Sequence, residues 1–547
     1  MDIPFDITLP VSVPLHTKNL TCCYERGALR YIRRGNTELV RMIYCAIRDN
    51  NWGTVPYVIV DEKITDDKES FVVRVSVKYE QENILFFADL LIEGKDDMIS
   101  FSMKGSSGNN FLSNRTGLCV HLPVKEFSGI PATITGTSGN KTNIFFPGYI
   151  SPHQPFTDIG QLDGSTYGTD LQLVFSGEVF EAEDQRNWMD NSFKLYNRPL
   201  SRPFPFPVTT GESIQQHITL KTSSSGPIII DQDKAIPGNE WQPIPALGIA
   251  AADEVKLLTG EEAGILKLYP FSFYRAELHL DTAWEDILDM HIANAGSLGA
   301  RLQLVVFFTD RWQQEQPAFL EKIFLHAESI YSVLPLHKNY KVTPGFLQAG
   351  LYPVIKKNYP NVLVGYGTDI YFTELNRQKP TGDLYDFVSF SLNPQVHNDD
   401  ALTVLENLRT LPDIIRTISS FTSKPVVVSP VTFKKRKNHD GVGDSVHNLV
   451  DNYDERQFTW YGAGWFLLSL YYLRHVSSAV FFTTTGRSGL ANCYDAPLGI
   501  VLQKIKTFQP VSVQKIYTAN HIRLVFRNKQ QEEMDFVFNE QYSQVCG

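Results

Sequence analysis

The chain has 547 residues, of which 43% are hydrophobic and 20% charged. At about 100–200 residues per domain this length calls for two or three domains with substantial cores, a barrel being allowed to run to about 250. Gly (36) and Pro (30) stand at ordinary globular levels, which excludes collagen, long disordered tails and low-complexity scaffolds. Acidic residues (60) outnumber basic ones (50), for a net charge of −10, so the basic excess of a nucleic-acid binder is absent. The one basic run, Lys434–Lys437, beside Asn438, His439 and Asp440, reads as a solvated loop.

The N-terminus lacks the positively charged and apolar regions of a secretory signal. The most apolar helical stretch, Gly464–Leu473, is far shorter than the ~18–20 residues a bilayer span requires. Cys22, Cys23, Cys45, Cys119, Cys493 and Cys546 form no CxxC pair and no metal-type spacing. Reduced thiols in a cytoplasmic protein are expected, with no membrane partner.

In chain order, residues 1–240 carry short alternating runs separated by turns. Ser70–Val77, Asn83–Ile92 and Asp170–Phe175 alternate with period two, and Ser107-Gly-Asn109 and Gly139-Asn140 mark turns. Many such strands with almost no helical period predict an antiparallel β-sandwich. Over 241–507 the rhythm changes. Runs at Arg275–Leu280, Leu302–Phe308, Ser332–Leu336, Val362–Tyr366, Phe387–Leu392, Pro425–Ser429 and Ala479–Phe482 alternate with helix-length segments, clearest at 400–422 and 455–475. Seven or eight such units predict a closed (β/α)8 TIM barrel, since a doubly wound sheet would be expected to show a glycine-rich phosphate fingerprint. Residues 508–547 return to strands (Ser512–Tyr517, His521–Phe526, Met534–Phe538), a small β appendage that is either independent or paired with the sandwich.

No GxSxG, HExxH, Walker A, GxGxxG or CxxC string occurs, so chemistry has to come from polar groups gathered at the C-terminal ends of barrel strands. Counting the runs above in order, the fourth leads into Asp369, Glu374, Asn376 and Arg377. The fifth ends at Asn393, Gln395 and His397, the second at Asp310-Arg311, and the sixth at Ser429–Thr432. A carboxylate, an amide and an imidazole converging from adjacent strands can move protons and hold a polyhydroxylated ligand. A second polar segment, Phe180–Trp188, contains Glu183, Arg186 and Asn187. It reads either as an Arg186 ion pair stapling two domains or as a loop reaching over the barrel mouth. His153 and His397 have no His partner at metal-ligand spacing, so neither a metal nor another cofactor is expected.

At these same segments the sequence resembles the D-apionate lactonases. The stretches are Asn51–Pro56, Asn114–Cys119, Ile150–Phe156, Phe180–Trp188, Gly367–Arg377, Asn393–His397 and Val428–Thr432, in order along nearly the whole chain. The resemblance implies an N-terminal β domain, a TIM barrel and C-terminal β strands. It also implies hydrolysis of a five-membered sugar-acid lactone to the open aldonate, the partner being a small sugar lactone or sugar. That reaction needs an attacking water, a base and donors for the oxyanion. By position in the matched motifs, Glu374 is the general base, Asp369 tunes it, and Glu183 joins them from the capping loop. Arg186, Asn187, Asn376, Arg377, Asn393, Gln395, His397 and His153 bind the substrate, Arg186 through its fork of donors.

The barrel is also similar to those of retaining glycosidases, which place one carboxylate after the fourth strand and another after the seventh. On the same count Thr483 stands where relatives commonly show Glu, and Arg487-Ser488 replaces an expected Trp-Arg pair. A double-displacement glycosidase needs two carboxyls about 5–5.5 Å apart. The alternatives to a lactonase are thus a glycoside hydrolase on a short oligosaccharide, for which another acid would have to stand in, and an inactive carbohydrate-binding homologue.

Overall fold

The computed structural model describes residues 1–224, 240–437, 449–518, 521–539 and 541–542. The chain divides into two compact units. One comprises Leu9–Arg186 and the stretch from Asn191 through the strand ending at Ser224. The other holds Met1–Thr8, Asn187–Asp190 and the remainder of the chain.

The first unit is an antiparallel β-sandwich. One sheet runs in the order Glu181–Asp184, Ser192–Tyr196, Phe111–Pro123, Thr37–Asp49, Ala28–Arg34, Thr21–Glu25, Val13–His16, with Phe206–Val208 also paired to Phe111–Pro123. The other runs Lys141–Phe145, Pro131–Thr135, Gln161–Thr166, Thr169–Ser176, Ser213–Ser224, Met98–Ser107, Ile84–Lys95, Ser70–Gln81, Tyr57–Asp66. Period-two patterning decides which side chains go inside. In Ser70–Gln81 the residues Phe71, Val73, Val75, Val77 and Tyr79 are buried while Arg74 and Glu80 face solvent. Residues from both sheets, such as Val73, Phe86, Leu118 and Leu195, share one hydrophobic core.

The second unit contains a closed barrel of eight parallel strands. They are β1 (Ala246–Ala250), β2 (Phe273–His279), β3 (Arg301–Phe308), β4 (Ile330–His337), β5 (Leu363–Gly367), β6 (Phe387–Leu392), β7 (Val426–Val431) and β8 (Ser478–Thr483). The expected TIM barrel is present, and the strand count is corrected by one. Ala246-Leu-Gly-Ile-Ala250 is short and carries a single β-branched residue, so periodicity passes over it. The run ending at Gly367 is therefore the fifth strand, and the run ending at Thr483 is the eighth.

Helix Trp460–Tyr472 is apolar on every side and almost wholly buried, as an all-round hydrophobic helix must be in a soluble core. Among the described residues no helix is long and apolar enough to cross a membrane. The Asp6 carboxylate accepts from the amides of Trp460 (3.0 Å) and Tyr461 (2.8 Å), satisfying donors that the first turn leaves open. The C-terminal strands lie in this unit and not in the sandwich sheets. They form a five-stranded sheet ordered Asp2–Ile3, Glu533–Phe538, His521–Asn528, Pro510–Thr518, Gln242–Pro243.

Candidate active site at the barrel mouth

The turn after β5 is fixed by the backbone. A side chain on Gly367 would stand 2.0 Å from the Ser389 carbonyl oxygen, so only glycine lets β5 end against β6 in this way. The Thr368 amide then donates to Ser389 O (3.0 Å), and both the amide and the hydroxyl of Ser391 donate to Ile370 O. Asp369 is thereby held at the strand end. The short helix Phe372–Arg377 follows and buries Glu374 and Asn376.

Asp369 is one member of a buried ion network that closes across the barrel. Lys437 Nζ donates to Asp369 Oδ2 and lies 3.1 Å from Glu277 Oε2. Glu277 lies two residues before the end of β2 and also accepts from Arg275 (2.6 Å) and from Arg436, whose other nitrogen reaches Asp253 at 3.1 Å. Three cations thus balance three carboxylates. Burial alone would raise the Glu277 pKa, but Arg436, Lys437 and Arg275 outweigh it and hold the carboxyl well below its usual range. Burial would likewise lower the Arg436 pKa, and Glu277 and Asp253 reverse that, raising it above the ordinary guanidinium value. Phe307 lies under Lys437 (4.7 Å) and stacks on His279 at 4.5 Å, forming an aromatic wall beside the charges. Arg436 and Lys437 are 8% and 2% exposed, so this part of the basic run is not a solvated loop. Asn438, His439 and Asp440 lie outside the described residues.

Glu374 is 5% exposed and forms an ion pair with Lys341 at 3.1 Å. Asn376 Nδ2 donates to Asn187 Oδ1 (2.9 Å), and the Arg377 guanidinium lies 5.4 Å from the Trp188 ring. Asn187 and Trp188 belong to the short segment Asn187–Asp190 that is part of the barrel unit. The same segment brings Asp190, whose carboxylate hydrogen-bonds His397 Nδ1 and accepts from Asn407 Nδ2 at 3.1 Å. Asn393 Oδ1 accepts from the Gln395 amide (3.2 Å).

Gln395 does not present an open amide. Its Nε2 donates to Phe433 O and to Asp454 Oδ2, both at 2.9 Å, and its Oε1 accepts from Arg456. It ties together two loops of the barrel unit. Burial would raise the Asp454 pKa, but Arg456 and the Gln395 amide hold it low.

Three expected residues lie in the sandwich unit. Arg186 is fully buried, paired through two nitrogens with Asp184 (2.9 and 2.8 Å) and donating to Pro147 O and Gly148 O. Its side chain is wholly engaged in an ion pair inside the sandwich unit. Glu183 stands opposite Lys194 in the strand register. His153 is exposed, and its carbonyl accepts from the Ser151 hydroxyl. Sequence reasoning missed Glu277, Arg275, Arg436, Lys437, Lys341, Asp190 and Asn407. For Glu277 and Lys437 the signal was available, since a charged residue inside or beside an apolar barrel strand requires a partner. For Asp190 nothing local marked it. No group of three or more His, Cys, Asp or Glu side chains suited to a metal occurs among the described residues.

Two open hollows of about 770 and 830 Å³ lie on the nine-stranded sheet of the sandwich. Their linings include Arg74, Asp89 and His217 in one and Asp163, Asp170 and Lys221 in the other, without the buried ion pairing of the barrel mouth.

A β-sandwich unit and a (β/α)8 barrel with charged residues at its strand ends define a multidomain TIM-barrel protein of the enzyme type. Residues 6–225 match the D-apionate lactonase N-terminal domain and residues 247–516 match the D-apionate lactonase TIM barrel domain. The chain belongs to the D-apionate lactonase family. It is 27% identical over 464 residues to a D-apionate lactonase of Brucella anthropi, covering 78% of this chain and 74% of that one. Similar solved structures include the galactosidase domain of an alpha-galactosidase-sucrose kinase (10% identity, 95% of this chain, 89% of that chain, TM-score 0.26). Another is the endo-1,4-beta-D-mannanase of Thermotoga petrophila (12% identity, 49% of this chain, 99% of that chain, TM-score 0.32). Family membership supports a lactone hydrolase role.

Proposed function

We propose that this protein opens the five-membered lactone of a sugar acid, D-apionolactone or a close analogue, to the free aldonate in carbohydrate catabolism. The observation that carries the reading is the buried, charge-balanced set of carboxylates and cations at the strand ends of a barrel whose family opens such a ring. Glu374 takes the proton of the attacking water. Asp369, fixed by Lys437, sets the polarity beside it, and the cations supply donors for the charge that develops on the carbonyl oxygen. Asn187, Asn376, Arg377, Asn393 and His397 offer hydrogen-bonding groups to the sugar hydroxyls. The reaction takes place in the cytoplasm, a reducing compartment that suits the free thiols of Cys22, Cys23, Cys45, Cys119 and Cys493.

On the corrected count Asp369 and Glu374 follow β5 and Thr483 ends β8, so the fourth and seventh strands are those that end at His337 and Val431. The experiment is proton release at constant pH when the protein meets a panel of aldono-lactones, D-apionolactone included. Rates well above spontaneous hydrolysis, lost in Glu374→Gln, support the proposal. Ligand-induced stabilisation without turnover would make the protein a carbohydrate-binding homologue instead.

A further inference from the structure

We propose that the sandwich unit carries a binding site of its own for the carboxylate of a small hydroxy acid, built from Arg48, Arg115, Lys194 and Glu183. The site stands on the sandwich alone, and only the choice of an aldonate as its ligand rests on the lactonase reading above.

The strands bring these residues to one face. Leu118, Val120, Phe193 and Leu195 point into the sandwich core, so Cys119, Lys194 and Tyr196, which alternate with them, point the other way. Arg48 stands opposite Arg115, Tyr196 opposite Cys119, and Lys194 opposite Glu183. Arg115 Cζ lies 3.4 Å from the centroid of the Tyr196 ring and 5.2 Å from that of Trp52, which fixes the guanidinium on the same face. The cations are close enough to act on one another. Burial lowers the Lys194 pKa to about 8; Arg48 and Arg115 add to that, while Cys119 and Glu183 oppose it.

Their partners do not balance them. Arg48, Arg115 and Lys194 are 8%, 6% and 2% exposed. Arg48 donates to Trp52 O (3.3 Å) and to the Thr54 hydroxyl. Among the described residues the side chains of Arg115 and Lys194 make no hydrogen bond or ion pair, and Arg115 Nε is a buried donor without an acceptor. Of the two carboxylates on this face, Glu181 accepts from the Tyr196 hydroxyl (2.6 Å) and the Leu200 amide (2.7 Å). Glu183 makes no side-chain hydrogen bond or ion pair among the described residues, although it faces Lys194. Buried lysine and arginine are almost never left unpaired, because only a counter-charge offsets the loss of water.

The imbalance states what the ligand is. Three cations against two carboxylates leave one positive charge, which a single carboxylate neutralises. A guanidinium stacked on an aromatic ring keeps its in-plane donors for a ligand, and that fork matches a carboxylate. Glu183 accepts from a hydroxyl, which selects a hydroxy acid over a bare anion. Glu183 and Trp52 are only half-buried, so the ligand enters from their side. The aldonate formed by lactone opening has this chemistry, one carboxylate with hydroxyls beside it.

The test follows the melting of the full-length protein by calorimetry with three additives at equal ionic strength. They are the aldonate made by alkaline opening of D-apionolactone, the uncharged alditol of the same skeleton, and sodium sulfate. At about a hundredfold excess over its Kd the aldonate should raise the sandwich transition by roughly 5–10 °C, and the other two should not. Arg115→Met and Lys194→Met should each weaken aldonate binding about tenfold or more in titration calorimetry and abolish the shift. Neither should lower the melting temperature of the ligand-free protein, because each removes an unbalanced buried charge. Glu374→Gln should keep the shift. Absence of an aldonate-specific shift in the wild type, or a shift retained in both variants, overturns this inference, and lactone turnover in that same protein leaves the lactonase reading standing. Aldonate binding that requires Arg115 in a protein that opens no lactone supports this site and overturns the lactonase reading. An equal shift with sulfate overturns the hydroxy-acid assignment. The wild-type comparison of the three additives decides the matter even where a variant fails to fold.

Discussion

Replacing Arg186 by Met tests the buried ion pair of the sandwich. Both partners have fully buried side chains, and the guanidinium donates to Asp184, to Pro147 O and to Gly148 O. Met matches much of the volume but takes both guanidinium bonds from the Asp184 carboxylate, which keeps the backbone amides of Ser151 (3.0 Å) and of position 186 (3.3 Å). Removing one partner of a buried pair costs about 3–5 kcal/mol. At about 2–4 °C per kcal/mol for a unit of this size, the sandwich transition should fall by roughly 6–20 °C in calorimetry. The loss should depend on pH with a definite sign. Burial already raises the Asp184 pKa above 3.8, and Arg186 opposes that, so the variant raises it further. A carboxyl whose folded pKa is raised contributes stability below its unfolded value and loses it as pH rises through the folded one. The gap between variant and wild type should therefore narrow on acidification, and Asp184→Asn added to Arg186→Met should recover much of the loss. KM for a lactone, measured below the transition, should not change. A cost under about 1 kcal/mol would refute the structural account of Arg186. So would a raised KM in a fully stable variant, which would restore the arginine to the substrate.

Three further outcomes are expected. Glu374→Gln should lower kcat for lactone opening about 10²–10⁴-fold with a small stability change, because its partner Lys341 is half exposed; a pH-stat and a melting curve check both. Lys437→Met removes the ammonium shared by Asp369 and Glu277, so it should cost on the order of 3 kcal/mol in the melting of the barrel unit and abolish turnover together. Burial, reinforced by Glu38, pushes the Glu126 carboxyl up to about 7 from 4.5, so its contribution is complete below 4.5 and lost as pH rises through 7. The sandwich should lose about 3 kcal/mol at most over that window, and Glu126→Gln should flatten the pH dependence of its melting.

The parts of this fold legible in the sequence are those whose cause is local. Alternation in Ser70–Gln81 states which side chains face inward without reference to any other strand. The alternation of apolar runs with helical segments likewise announces the barrel. Ala246–Ala250 was hidden because it has little side-chain patterning of its own and is a strand only through its pairing with β2 and β8. The site follows the same division. Glu374, Asn376 and His397 stand out because polar residues directly follow apolar strands. Asp190 is joined to His397 across 207 positions, and no periodicity carries information over that separation. The Arg186 segment admits two readings for a related reason: a polar run looks alike whether its charges meet each other or a ligand.

Because Asn187–Asp190 lies between two strands of the sandwich sheet yet belongs to the barrel unit, the two units are not interchangeable cassettes. A barrel expressed from residue 240 onward would lack the amide that meets Asn376 and the carboxylate that meets His397, and would also lose the Asp6 cap of helix Trp460–Tyr472. Recombination at the apparent boundary would hand a new partner a barrel without those groups. Inheritance of this site therefore requires that the segment Asn187–Asp190 and the barrel travel as one genetic piece.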